Sequence, residues 1–206
     1  TFTIFRNMVE KNLVVAEPVY LPGIPEPVSI KGLNEFDLPD VSESKFIGSV
    51  DFLNNYSICE FGAKSFVDDY FKDNKASNYK ITRNELSGKD FSTKFSVWLS
   101  QGFISGRQLY KKLKNYESTK GANESTYWIF FELLWRDYFR FLHFKYGENL
   151  YFKYGLMNSE INIIDEEMTL EKLEVGKTNS SFMNAAIREL IHSGFLSNRM
   201  RQILAS

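Results

Sequence analysis

All five prolines of this 206-residue chain lie at or before position 39: Pro18, Pro22, Pro25, Pro27 and Pro39. An interior proline removes a backbone donor and costs a helix roughly 3 kcal/mol. The stretch after Pro39 is therefore free to be helical throughout, while the cluster before it favours extended backbone running over a surface. No strict apolar–polar alternation persists for long, which argues against strands. The expected fold is all-α. A short helix over residues 2–12 carries Phe2, Phe5 and Val9 on one side, a proline-rich linker arm completes residues 1–50, and a helical body fills 51–206. Thr1 is not a natural start, and the last residues read as an unfinished helix. The chain is thus expected to be truncated at both ends.

The stretch from Ala122 to Gly147 organises that body. Asn123, Glu124, Ser125 and Thr126 supply helix-start chemistry, and Gly147 suits a stop that needs a residue without Cβ. Between them Trp128, Phe130, Phe131, Leu133, Leu134, Trp135, Tyr138, Phe139 and Leu142 cover most of a helix circumference, so other helices should surround it. Glu132, Arg136, Asp137 and Arg140 sit among these rings. Glu132 and Arg136 share a face, as do Arg136 and Arg140. A carboxylate in such company needs a partner or a proton. Glu132 is either half of an internal ion pair or an acid facing a ligand.

Composition narrows the function classes. With a net charge of −1, any affinity for nucleic acid must come from a local face. The single Cys59 excludes an internal disulfide and suits a reducing, cytoplasmic setting; without a nearby His it reads as a core residue. No uncharged run is long enough to span a membrane. The chain has two His and lacks HExxH, GxSxG and a Walker lysine loop, so no metal site and no P-loop chemistry are expected.

Residues 62–70 read as the first helix of the body, followed by a polar link over 72–78. The run from 78 to 98 is dense in hydroxyls, amides and cations, with rings between them. Ser92, Thr93 and Ser96 can donate to phosphate oxygens, and Lys94 adds a point charge. A solvated loop leading into a helix cap has the same composition. Ser105 with Gln108 is a capping box that opens a helix over 106–116. Lys75, Lys80, Arg83, Lys89, Lys94, Arg107, Lys111, Lys112 and Lys114 make 75–120 locally basic, either a phosphate-attracting face or a solvated one. Ile161, Ile163 and Ile164 can pack, and Asp165, Glu166 and Glu167 read as exposed. Ser180 or Ser181 opens a helix with Phe182, Ala185, Ala186, Leu190 and Ile191 on one side and a stop at Gly194. Ser197 caps another, whose first turn brings Asn198, Arg199 and Arg201 to a positive dipole end. His192 reads as a structural helix-end residue.

Four ordered motifs now stand out: Tyr79-Lys-Ile-Thr-Arg-Asn84, Phe91-Ser-Thr-Lys-Phe-Ser96, Phe131-Glu-Leu-Leu-Trp-Arg-Asp-Tyr-Phe139, and Arg188-Glu-Leu followed by Ser193-Gly-Phe-Leu-Ser-Asn-Arg-Met-Arg-Gln202. Together they resemble the photolyase/cryptochrome family and are most similar to its DASH branch, over about residues 55–206. The opening helix and proline cluster also resemble the junction between that family's antenna and flavin domains. The resemblance implies a helical FAD-binding domain, incomplete at its C-terminus, and a folate as the antenna pigment that a further N-terminal domain can carry. By motif match, Tyr79, Thr93, Lys94, Phe95 and Ser96 hold the pyrophosphate and ribitol region of FAD, and Arg201 lies beside the flavin. Glu132 and Asn198 contact a damaged pyrimidine pair as catalytic residues. Arg83 and Arg199 bind DNA phosphates, and Gln202 belongs to the same DNA-binding set. The implied activity is light-driven repair of cyclobutane pyrimidine dimers by a monomer. It acts mainly on single-stranded DNA, with reduced FAD as electron donor.

Some positions depart from the family pattern. Val97 stands where the family has a proline, and Leu173, Asn179, Ser181 and Asn184 replace a Trp, a Gly, a Pro and an Asp. No Trp follows Trp135. These departures imply an alternative, a blue-light photoreceptor or nucleic-acid-binding flavoprotein without efficient repair. A helical domain without flavin is a third reading. The 206 residues by themselves are expected to bind FAD weakly or not at all.

Overall fold

The computed structural model describes residues 1–19, 56–86, 88, 91–152, 154–157 and 170–205. The proline cluster after Pro18, Lys89 and the segment Ile161–Glu167 lie outside the described residues. Within them the regular structure is helical, with no strand. In chain order it comprises α1 (Phe2–Asn12), α2 (Glu60–Lys72), α3 (Lys75–Thr82), α4 (Ser96–Gln101), α5 (Gly106–Lys120), α6 (Glu124–Tyr146), a 3-10 turn (Gly147–Leu150), α7 (Leu170–Glu174), α8 (Ser181–Ser193) and α9 (Asn198–Leu204).

The long α6 is the axis. Its start is a reciprocal cap: Asn123 Oδ1 accepts from the Thr126 N–H, and Thr126 Oγ1 accepts from the Asn123 N–H. Thr126 is fully buried, so the cap is also a core anchor. Helix α3 is tied along this first turn by three polar contacts. Asn123 Nδ2 donates to the Ser77 carbonyl, the Lys80 N–H donates to Ser125 Oγ, and the Lys80 ammonium pairs with Glu124.

Two helices then close the core with the same stripe. Helix α2 buries Ala63, Val67 and Tyr70, and α5 buries Leu109, Leu113 and Tyr116, each at i, i+4 and i+7. They meet Ala76 and Tyr79 of α3, Phe95, Trp98 and Ile129 in one cluster. Burial of a large apolar side chain contributes about 1.5–3 kcal/mol. Gly62 is required where the chain turns into α2, because a Cβ there would meet the Ser57 carbonyl oxygen at 1.8 Å. That same oxygen accepts from the Trp98 indole at 3.3 Å. A smaller cluster of Ala186, Leu196 and Met200 joins α8 to α9.

The structure corrects several expectations. Cys59 is not in the core; it is half-exposed and caps α2, its Sγ accepting from the Gly62 N–H. The polar link over 72–78 shrinks to Asp73 and Asn74, because burial of Ala76 and Tyr79 draws the rest into α3. On α8 the buried residues are Ala186 and Ile187, while Phe182, Leu190 and Ile191 face outward. The basic stretch, open between a phosphate-attracting and a solvated face, carries ion pairs of Lys75 with Asp73, Lys80 with Glu124, Lys111 with Glu17, Lys112 with Asp68 and Lys114 with Glu117. Among the described residues, other helices do not surround α6 along its whole length, since Phe139, Phe141 and Phe144 are all more than half exposed. This second half meets α1 instead. The Phe2 ring stacks on Trp135 at 3.6 Å and 8°, and Phe5 meets Tyr138 and Phe141. Tyr127 Oη donates to Glu10 at 2.6 Å and secures the far end of α1.

Candidate functional site

Helix α3 ends by presenting Tyr79 and Arg83, four residues apart, toward α6. Arg83 is the C-cap residue, its N–H donating to the Tyr79 carbonyl. Its Nη2 donates to Glu132 Oε1, and its Cζ lies 4.3 Å from the centroid of the Trp128 ring. Trp128 and Glu132 are one turn apart on α6, so the guanidinium lies across both. The side chains of Arg83 and Glu132 are 22% and 35% exposed. Burial pushes the Glu132 carboxyl above its ordinary value, with the Arg83 charge pulling against it. Burial first, and the Glu132 charge second, push the Tyr79 phenol up to about 12, which keeps it a protonated donor.

The ion-pair reading of Glu132 is thus realised, with a partner from another helix. Arg136, its neighbour in sequence, lies 3.4 Å from the adjacent Asp137 instead. The ligand-facing reading is compatible with this pair. Glu132 Oε2 accepts no hydrogen bond from the described residues, and the side chain is still a third exposed.

The second constellation surrounds Lys94. This residue is buried and has φ 51, the left-handed region that side chains rarely adopt. Its Nζ lies 4.5 Å from the Phe91 ring and 6.0 Å from the Phe195 ring, and donates to the Gly88 carbonyl at 3.5 Å. Arg201 approaches the same Phe195 ring at 5.5 Å and donates through Nε to the Leu196 carbonyl. Thr93 is half-buried beside Lys94, and Ser96 is exposed at the start of α4. The Phe95 ring is turned into the core against Tyr70 and Phe66, so only its backbone is left to face a ligand.

Helix α9 connects the two constellations. Arg199 donates to Asn84 Oδ1 at 3.3 Å and to Gln202 Oε1 at 3.1 Å, and Asn84 follows Arg83 in the chain. Asn198 is exposed in the first turn of α9, which Ser197 caps. Helix α9 thus touches both constellations, through Arg199 at Asn84 and through Arg201 at the Phe195 ring that Lys94 also faces, while Asn198 is next to Arg199 in the chain. No hydrogen bond joins Asn198 to Glu132 among the described residues. Sequence reasoning missed Trp128, Asn84, Phe91 and Phe195 as site residues. The available signals were the four-residue spacing from Trp128 to Glu132 and the motifs themselves, which contain Asn84, Phe91 and Phe195.

The donor set suits a pyrophosphate. Lys94 and Arg201 share the Phe195 ring, the chain on either side of Lys94 carries the hydroxyls of Ser92, Thr93 and Ser96, and Lys94 is buried in a left-handed conformation that is costly to hold. A separate cavity of about 770 Å³ opens on the far side of α6. The arm residues Leu13, Val15 and Pro18 and the residues Arg107, Arg136 and Arg140 line part of it. Neither Glu132 nor Lys94 nor Asn198 contributes to its wall, so cavity size and site chemistry point to different places.

One departure from the family motif has a local structural account. Asn184 Oδ1 accepts from both the N–H and the hydroxyl of Thr178, and its Nδ2 donates to the Thr178 carbonyl at 2.9 Å. An aspartate lacks the donor for the last of these bonds.

Residues 128–206 match the family described as FAD binding domain of DNA photolyase. The whole chain is similar to cryptochrome DASH from Danio rerio, at 38% identity over 40% of that relative, and from Vibrio parahaemolyticus, at 39% over 44%. The crystal structure of a Synechocystis cryptochrome superposes on all of the chain with a TM-score of 0.80 at 33% identity, over 43% of its own length. A class III photolyase from Agrobacterium tumefaciens shares the fold, with a TM-score of 0.65 at 24% identity, over 75% of this chain and 32% of its own. The chain spans about two fifths of the length of the curated relatives it matches.

Proposed function

The chain belongs to the photolyase/cryptochrome family, and from that premise we propose that the protein containing it is a DASH-type photo-lyase. It repairs cyclobutane pyrimidine dimers, mainly in single-stranded DNA. The observation that carries this reading is the half-buried Glu132 held by Arg83 beside Trp128 and Tyr79.

A pyrimidine edge offers an N–H donor and carbonyl acceptors. A carboxyl with a raised pKa serves both, accepting as the anion and donating as the acid. Hydrogen bonds aimed at a dimer carrying extra charge stabilise it most where water is excluded. Arg83 and Arg199 supply cations for the phosphates on either side, and Asn198 and Gln202 supply amides near Arg199. A dimer pairs and stacks poorly, so turning it toward Glu132 costs least at the lesion or in a single strand. Tyr79, Thr93, Lys94, Phe95 and Ser96 would hold the pyrophosphate and ribitol region of FAD and Arg201 would lie beside the flavin, which when bound supplies the light-driven electron. The same reading makes the intact protein a cytoplasmic monomer, with a folate antenna outside these residues.

The test illuminates the intact, reduced protein with an oligothymidine carrying one dimer. Wild type is expected to restore intact thymines, and Glu132→Gln to slow this about 10- to 100-fold. Unchanged repair by the variant would remove Glu132 from the chemistry. A flavin-loaded wild type that splits no dimer would favour the photoreceptor reading, to which the altered stretch from Leu173 to Asn184 also points.

A further inference from the structure

We propose that Trp128 is the positioning residue of this site, its indole fixing the Arg83 guanidinium and, through it, the Glu132 carboxyl in one arrangement. The inference rests on the reading of Glu132 and Arg83 given above, in which Trp128 stands beside the pair but is given no role of its own.

Arg83 needs such a support. It caps an eight-residue helix, and a long arginine side chain loses much rotamer freedom when it is fixed. Among the described residues, Glu132, Tyr79 and Trp128 stand against it at the site. The first is lost when the carboxyl takes up a proton or turns to a ligand, and the second is a neutral phenol. Only the indole face is indifferent to pH and to ligand. A cation 4.3 Å from an indole centroid is well inside the range of strong attraction.

Trp128 is itself immobilised. It packs against the main core and meets Phe131 edge-on at 4.5 Å. It rises from α6 one turn before Glu132, so a single rigid helix presents both the platform and the acid. The indole thus keeps Arg83 within reach of Glu132 even while a phosphate competes for the guanidinium.

Few other charges act on Glu132. Tyr79 and Arg83 face it from α3. Arg136 on its own helix is engaged with Asp137, and Lys112 and Lys114 of α5 with Asp68 and Glu117. From α1, Arg6 lies over Phe131. Loosening Arg83 therefore leaves the burial of Glu132 with little to oppose it.

Carboxyl NMR of Glu132 in the intact protein tests the placement without any DNA. In Trp128→Leu the protonation midpoint is expected to move upward, while Trp128→Phe, which keeps a ring face, leaves it in place. Arg83→Lys, which keeps the charge and loses the flat stacking group, is expected to move it as Trp128→Leu does, and serves if the leucine variant fails to fold. An unmoved midpoint in both Trp128→Leu and Arg83→Lys, or equal damage from phenylalanine and leucine, overturns the proposal. Binding of the dimer-bearing oligothymidine should weaken about tenfold in Trp128→Leu and recover in Trp128→Phe. A wild type that shows the Glu132 titration but binds and splits no dimer would instead remove the repair reading and leave the role of Trp128 standing.

Discussion

The first half of α6 and its second half are both rich in aromatic rings, yet they sit in different surroundings. From Glu124 to Leu134 the helix buries Ser125, Thr126, Ile129 and Leu134, with Ile129 in the main core and Leu134 on the side of the cavity beside the arm. From Trp135 onward its rings meet the α1 arm on one side, and Phe139, Phe141 and Phe144 are 59%, 58% and 68% exposed. Ring density shows that a helix has partners but not where they lie. Glu132 sits near the border between the two halves. Packing on one side desolvates it enough to raise its pKa, while the other side leaves it reachable.

The sharpest test of that contrast is Leu134→Ala, which should destabilise this chain by about 2–5 kcal/mol in urea unfolding. A loss below 1 kcal/mol would mean that the first half is not the core it looks like. Phe2→Ala should cost about 2 kcal/mol, less than a buried phenylalanine usually does, because an arm can resettle. Trp135 fluorescence should report its release, and an unchanged spectrum would break the link between α1 and the second half.

A pH series probes the border. The native Glu132 carboxyl binds its proton more tightly than the unfolded one, whose pKa is near 4.5. Its contribution to stability is present below that value and is lost as pH rises through the raised one. Glu132→Gln lacks this loss. Its Tm relative to wild type should therefore climb as pH rises above 4.5, and a flat difference would show that Glu132 is not desolvated. The smallest effect is expected from Phe144→Ser, within about 0.5 kcal/mol, as for other exposed positions. A larger loss would place a partner on that face.

Much of the fold was legible because helix punctuation is local. Ser105, Asn123, Ser180 and Ser197 each cap the helix that follows through a backbone N–H three residues on. The motif residues Tyr79, Arg83 and Glu132 were legible as types, and the structure brings them together. Cys59 was misread because the thiol acts as a cap only once the Ser57 backbone is folded over Gly62.

What the sequence determined by itself is the helical class, the caps and the kinds of groups available: an acid among rings, hydroxyls beside a cation, guanidinium groups on a last helix. These rest on spacings of three and four residues, which any helix turns into neighbours. Only the tertiary structure decided that Glu132 pairs with Arg83, 49 positions upstream, rather than with Arg136 one turn away. It alone brought Phe195 to Lys94 and Asn84 to Arg199. Contacts across such separations follow from how helix faces pack, and no local periodicity encodes them.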